Sequence, residues 1–131
     1  MNAGRPPASD PRVQIATEVL RFHEESYGTG ADGVAVHLVD NLVIVVLDEL
    51  ELSAGERTLI DGGYSETVTK MRSAYQAAIE SSFRAIVERA IGRRVGSFLG
   101  TTSLAPPYSV EIFRLEPVDT REVGLADPTA E

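Results

Sequence analysis

Residues 65–92, SETVTKMRSAYQAAIESSFRAIVERAIG, decide how this chain folds. Val68, Met71, Tyr75, Ile79, Phe83, Ile86, Val87 and Ala90 recur at intervals of three and four, the spacing that lines one side of a 3.6-residue helix. Ser65 is placed to cap its start and Gly92 its end. The other side carries Glu66 four before Lys70, then Gln76, Glu80, Arg84 and Glu88 at intervals of four, which reads as a solvated ladder. At about 1.5 Å per residue such a helix spans about 39 Å, more than the roughly 30 Å width of a small domain. One end should therefore project or pack on a second chain.

The 131 residues, with 43% hydrophobic content, suffice for one core without covalent staples. No run approaches the roughly 20 apolar residues that span a bilayer, and the start MNAGRPPASD lacks the apolar segment of a secretory signal. A cytoplasmic protein without direct membrane insertion is expected. The absence of cysteine removes thiolate nucleophiles, disulfides and cysteine metal sites. A net charge of -8 argues against nucleic acid, whose affinity rests on clustered Lys and Arg displacing counterions. Lys70 is the only lysine among twelve basic residues, so any anion contact would use arginine.

Residues 1–9 read as a disordered leader, residues 10–116 as one α+β domain, and residues 117–131 as a disordered acidic tail. Asp10 and Pro11 suit the N-cap and first position of a helix whose stripe is Val13, Ala16, Val19, Leu20, Phe22 and Tyr27, ending before Gly28. The glycines of residues 28–33, GTGADG, follow a helix and open a strand, the reverse of a dinucleotide fingerprint. VAVHLV and LVIVVL, joined by Asp40-Asn41, read as a hairpin. The second run is apolar at every position, so both faces of that strand need cover. Helices can supply one cover and a second subunit the other, which places Val43, Val45 and Leu47, or their alternates, in a homodimer interface.

Asp48-Glu49-Leu50-Glu51 lacks the ligand alternation of a calcium loop and reads as a guard on a strand end. Ser53-Ala54-Gly55-Glu56 is a capping box for a short helix to about Asp61, broken by Gly62-Gly63. VGSFL and YSVEIFRL read as two further strands joined by the long loop GTTSLAPP, the first place to look for binding, and Gly96 suggests a bulge. His23, beside Glu24 and Glu25 and one turn before Tyr27, reads as a helix-surface residue. His37 lies on the opposite side of its strand from Val36 and Leu38 and would tune subunit pairing if that side is an interface. No catalytic signature, metal spacing or cofactor motif is present, so a non-enzyme is expected.

VLRFHEESYG at 19–28, the run Leu42–Leu47, LSAGERTLIDGG at 52–63, VTKMRSAYQ at 68–76, GRRVGSFL at 92–99 and VEIFRLE at 110–116 resemble the MpsC-like family. The resemblance covers nearly all of residues 13–116. It implies an accessory component of a sodium- or bicarbonate-linked membrane system, carries over no catalytic residue, and implies acidic residues where this chain has TTSLAPP. Arg57 and Arg72 lie in its best-matched segments. Each is either a contact to an anion or partner, or a structural residue: Arg57 pairing with nearby carboxylates, Arg72 fastening the long helix onto a neighbour. The expected architecture is helix, hairpin, short helix, long helix, hairpin, a four-stranded mainly antiparallel sheet with helices on one face. The expected role is an accessory binding subunit, a homodimer that also meets a membrane-system protein. The alternatives are a homo-oligomeric small-molecule or anion sensor, with its pocket between the long helix and residues 28–33, and an enzyme with an unrecognised site.

Overall fold

A computed structural model describes residues 10–118. The expected leader (1–9) and almost all of the tail (119–131) lie outside the described residues. The elements run α1 (Pro11–Tyr27), β1 (Ala31–Val39), β2 (Leu42–Leu50), α2 (Ala54–Asp61), α3 (Ser65–Ile91), β3 (Val95–Leu104) and β4 (Pro107–Leu115). The strands form one open antiparallel sheet in the order β1-β2-β4-β3, so each hairpin contributes an inner and an outer strand. Helices pack on one face, as the double helix-hairpin pattern implies.

Local signals explain the boundaries. Asp10 accepts a hydrogen bond from the Arg12 amide, Pro11 takes the first turn, and Gly28 ends α1 in the left-handed region at φ 77°. The Ser53–Glu56 capping box forms in both directions. Gly92 closes α3 at φ 77°, but the start of α3 has Tyr64 at the cap with no side-chain hydrogen bond, and Ser65 is already inside the helix. A register shift between Val95 and Ser97 places the expected bulge at Gly96.

The last hairpin departs from expectation. Residues 100–104 continue β3, with Thr101, Thr102 and Ser103 paired to Val110, Ser109 and Tyr108, and only Ala105-Pro106 turn the chain. β-branched threonines suit a pleated ladder, so a stretch read as a long binding loop is strand.

The core joins Ile15 and Val19 of α1, Phe83, Ile86 and Val87 of α3, and Val43, Val45, Leu47, Phe113 and Leu115 of the inner strands. Only the second half of α3 enters it through apolar residues. In the first half the inward row is Val68, Arg72 and Gln76, while Met71 and Tyr75 are 39% and 43% exposed. Gln76 therefore leaves the expected solvated ladder and lies beneath the sheet, where Gly100 makes room for it: a Cβ there would collide with the Gln76 amide group. Glu88 also turns inward, accepting from the Val95 amide at 2.8 Å. Gly100→Ala should lower the melting temperature, and by less in a Gln76→Ala background, as a thermal double-mutant cycle would show.

Candidate functional site

Two features stand apart from an ordinary core. The first is a buried polar cluster between α1, α2, α3 and β4. Arg72 of α3 binds Glu56 of α2 through two parallel bonds, Nε to Oε2 at 2.7 Å and Nη2 to Oε1 at 2.9 Å, with both side chains almost fully buried. Glu56 Oε1 also accepts from the Ser53 amide at 2.9 Å, so one carboxylate caps α2 and anchors α3. Burial acts to raise Glu56, but hydrogen bonds from Arg72 and Ser53 and the Arg72 charge outweigh it and hold the group below the usual carboxylate range.

The Arg72 guanidinium sits 5.0 Å over the Tyr27 ring, which stacks on His23 at 4.4 Å and meets Tyr75 at 5.1 Å. His23 is 2% exposed, contrary to its reading as a surface residue, because the row Ile15, Val19, His23 faces inward. Its Nδ1 lies 3.1 Å from the Thr29 carbonyl, which can only accept, so Nδ1 carries the proton. Burial, then the Arg72 charge, depresses its pKa to about 4. Burial, then Glu111, pushes the Tyr27 hydroxyl up to about 12.

Glu111 of β4 completes the cluster. It is 2% exposed, receives one long hydrogen bond from Gln76 Nε2 at 3.4 Å, and its Oε1 has no partner among the described residues. Burial pushes it up to about 7 against the opposing hydrogen bond from Gln76. Ser109, two residues earlier on the same face, is also buried with its hydroxyl unpaired among the described residues.

The second feature is the face of the sheet away from the helices. The pairings put His37, Ile44, Ile112 and Leu99 in one row across it, with Ala35, Val46, Val110 and Thr101 in the next. Ile44, Val46, Val110 and Ile112 are only half-buried, by their own neighbours, and Leu99 is 68% exposed.

These positions correct the expected interface. Val43, Val45 and Leu47 are fully buried against the helices and cannot meet a second chain, and their alternates Ile44 and Val46 form the uncovered side with His37. Arg57 is exposed and donates to the Leu52 carbonyl at 2.6 Å rather than to a carboxylate. Arg72 does fasten the long helix to a neighbour, but the neighbour is α2, and its burial means that it cannot be removed without loss of stability. A cleft of about 550 Å³ is lined by Glu24, Asp32, Asp48, Glu49 and Glu51 beside Gly30, without α3, and its acidic lining repels anions. Among the described residues no group of His, Cys, Asp or Glu is arranged to hold a metal ion.

The family model described as Na+-translocating membrane potential-generating system (MpsC) matches residues 11–117. The chain belongs to this family. No curated protein and no solved structure matches. Four segments that carried the resemblance supply the cluster: His23 and Tyr27, Glu56, Arg72 and Gln76, and Glu111. Among the described residues no helix is long and apolar enough to cross a membrane.

Arg72→Ala should cost about 3–5 kcal/mol by leaving Glu56 buried and unpaired, whereas Arg72→Met with Glu56→Leu should recover most of that apart from the lost cap, as read by urea denaturation. Neutral His23 contributes stability that is present above about pH 6.5 and lost as pH falls through about 4. The melting-temperature difference between the native chain and His23→Gln should therefore shift steadily against the native chain across that interval.

Proposed function

We propose that this chain is a non-catalytic accessory or regulatory subunit of a sodium-linked membrane system, working from a homodimer joined through the uncovered sheet faces. The observation that carries this reading is the apolar centre of that face, Ile44, Val46, Val110, Ile112 and Leu99, on strands whose other face is already packed.

Its size fits a stable pair. Four strands about 4.8 Å apart and nine residues long at about 3.3 Å each cover about 570 Å² in projection. Two such faces exclude about 1,100 Å² even before side-chain relief is added, above the roughly 1,000 Å² that a specific interface needs. A second copy presents the same residues, and stacked sheets with their strands within about 30° bury them as a β-sandwich does. The family description supports the link to a membrane system, and the absence of an apolar span from the described helices fits a subunit that meets that system through protein contacts.

Sedimentation equilibrium tests the dimer. The native chain should have twice its 14.1 kDa mass, and Ile44→Asp should be a folded monomer with an unchanged far-UV spectrum. A native monomer, or an Ile44→Asp dimer of undiminished affinity, would remove the interface. Affinity purification from mildly crosslinked, detergent-solubilised membranes tests the accessory role, which predicts co-purification of a polytopic membrane protein.

A further inference from the structure

The two halves of α3 are attached to the molecule by different physics. Phe83, Ile86 and Val87 hold the second half through apolar burial. The first half has Val68 and two polar residues, Arg72 on Glu56 and Gln76 on Glu111. Arg72 is fully engaged by its partner. Gln76 is not: its partner carboxylate is buried at the centre of the sheet, with one oxygen unpaired among the described residues and the other at 3.4 Å.

We propose that Glu111 is a proton-operated latch for the first half of α3: protonated, it lets Gln76 and the helix lie against the sheet, and when it ionises that half-helix lifts, carrying α2 with it through Arg72 and Glu56.

The surroundings of Glu111 give its charge nowhere to go. Across the ladder it faces Val45 on β2 and Gly100 on β3, neither of which can ionise or donate from a side chain. From α3 comes Gln76, a neutral amide; Arg72, one turn earlier, is held by Glu56 of α2. From α1 comes Tyr27, whose hydroxyl is directed to the Arg72 carbonyl at 3.4 Å and whose own ionisation Glu111 opposes. Ser109, its neighbour along β4, is uncharged. A carboxylate ionised at this position, 2% exposed and with no cation paired to it among the described residues, is poorly solvated, and lifting the half-helix exposes it to solvent. The non-helical Leu52-Ser53 before α2 and the shift to apolar packing beyond Ile79 bound the part that moves.

The sign follows from the pKa, about 7 in the closed form against an ordinary 4.5. Closing contributes stability that is full below about pH 4.5 and is lost as pH rises through about 7. His23 acts in the opposite direction over an overlapping range, since neutral burial disfavours closing in acid. The latch is therefore read as a ratio between two proteins that share His23.

Amide hydrogen exchange of the native chain and Glu111→Gln, measured from pH 4.5 to 8.5 and corrected for intrinsic rates, provides that ratio. The opening constant of residues 65–78 in the native chain, relative to Glu111→Gln, should rise about tenfold per pH unit between about 4.5 and 7 and then level off. A flat ratio would overturn the latch. So would a rise shared equally by the amides of β2 and β4, which would make Glu111 a burden on the whole fold rather than on α3. Should Glu111→Gln not fold, carbon-13 titration of Glu111 in the native chain gives the same decision: the amides of residues 68–76 must shift with the Glu111 midpoint, and amides that ignore it overturn the proposal.

Discussion

The paired hydrogen bonds between Arg72 and Glu56 are the constraint on which α2 and the first half of α3 depend. α2 buries no residue except Glu56, and the same carboxylate closes its capping box. Without the pair, α2 would have its cap and little else, and the first half of α3 would rest on Val68 and a long hydrogen bond to Glu111. A buried ion pair adds little net stability over an apolar contact, because desolvation offsets its attraction. Its role here is positional: it sets where α2 lies against the first half of α3, which apolar packing alone does not fix.

That arrangement leaves the sheet asymmetric. The helix-covered face has an apolar end, around Phe113 and Phe83, and a polar end, around Ser109, Glu111 and Gln76. The uncovered face is apolar at its centre, where Ile44 and Ile112 are paired. Helix packing thus uses one side of β2, and the strand's continuous apolar run leaves the other side apolar and uncovered.

Much of this was legible in the residues. The element order, the first hairpin turn at Asp40-Asn41, the capping box and the bulge near Gly96 all followed from local chemistry that the structure shows. The inward face of the first hairpin was not legible, because a run such as Leu42–Leu47 looks the same from both sides; only its place in the sheet beside Phe113 and Glu111 shows that Val43 and Val45 turn to the helices. The last loop was misread because Thr101 and Thr102 look like loop residues until Val110 and Ser109 are seen opposite them. The polar cluster was missed for a different reason. Apolar periodicity on α3 favoured the row of Met71 and Tyr75, while the row that turns inward carries Arg72 and Gln76. A signal was present in β4, where alternation puts Ser109 and Glu111 on the same face as Phe113 and Leu115, and a carboxylate on a core face calls for partners elsewhere in the chain.

In the proposed dimer two copies meet through their uncovered sheet faces, leaving the helices outside. The chain has no cysteine, so a single nitroxide label at Ala77→Cys, an exposed position on α3, reports the arrangement without background. Sheets stacked about 10 Å apart with a helical layer on each outer side place the two labels about 35 Å apart or more, measured by dipolar electron resonance. A separation near 20 Å or less would mean that the copies meet through the helices, by the exposed strip of Met71 and Tyr75, and would contradict the account.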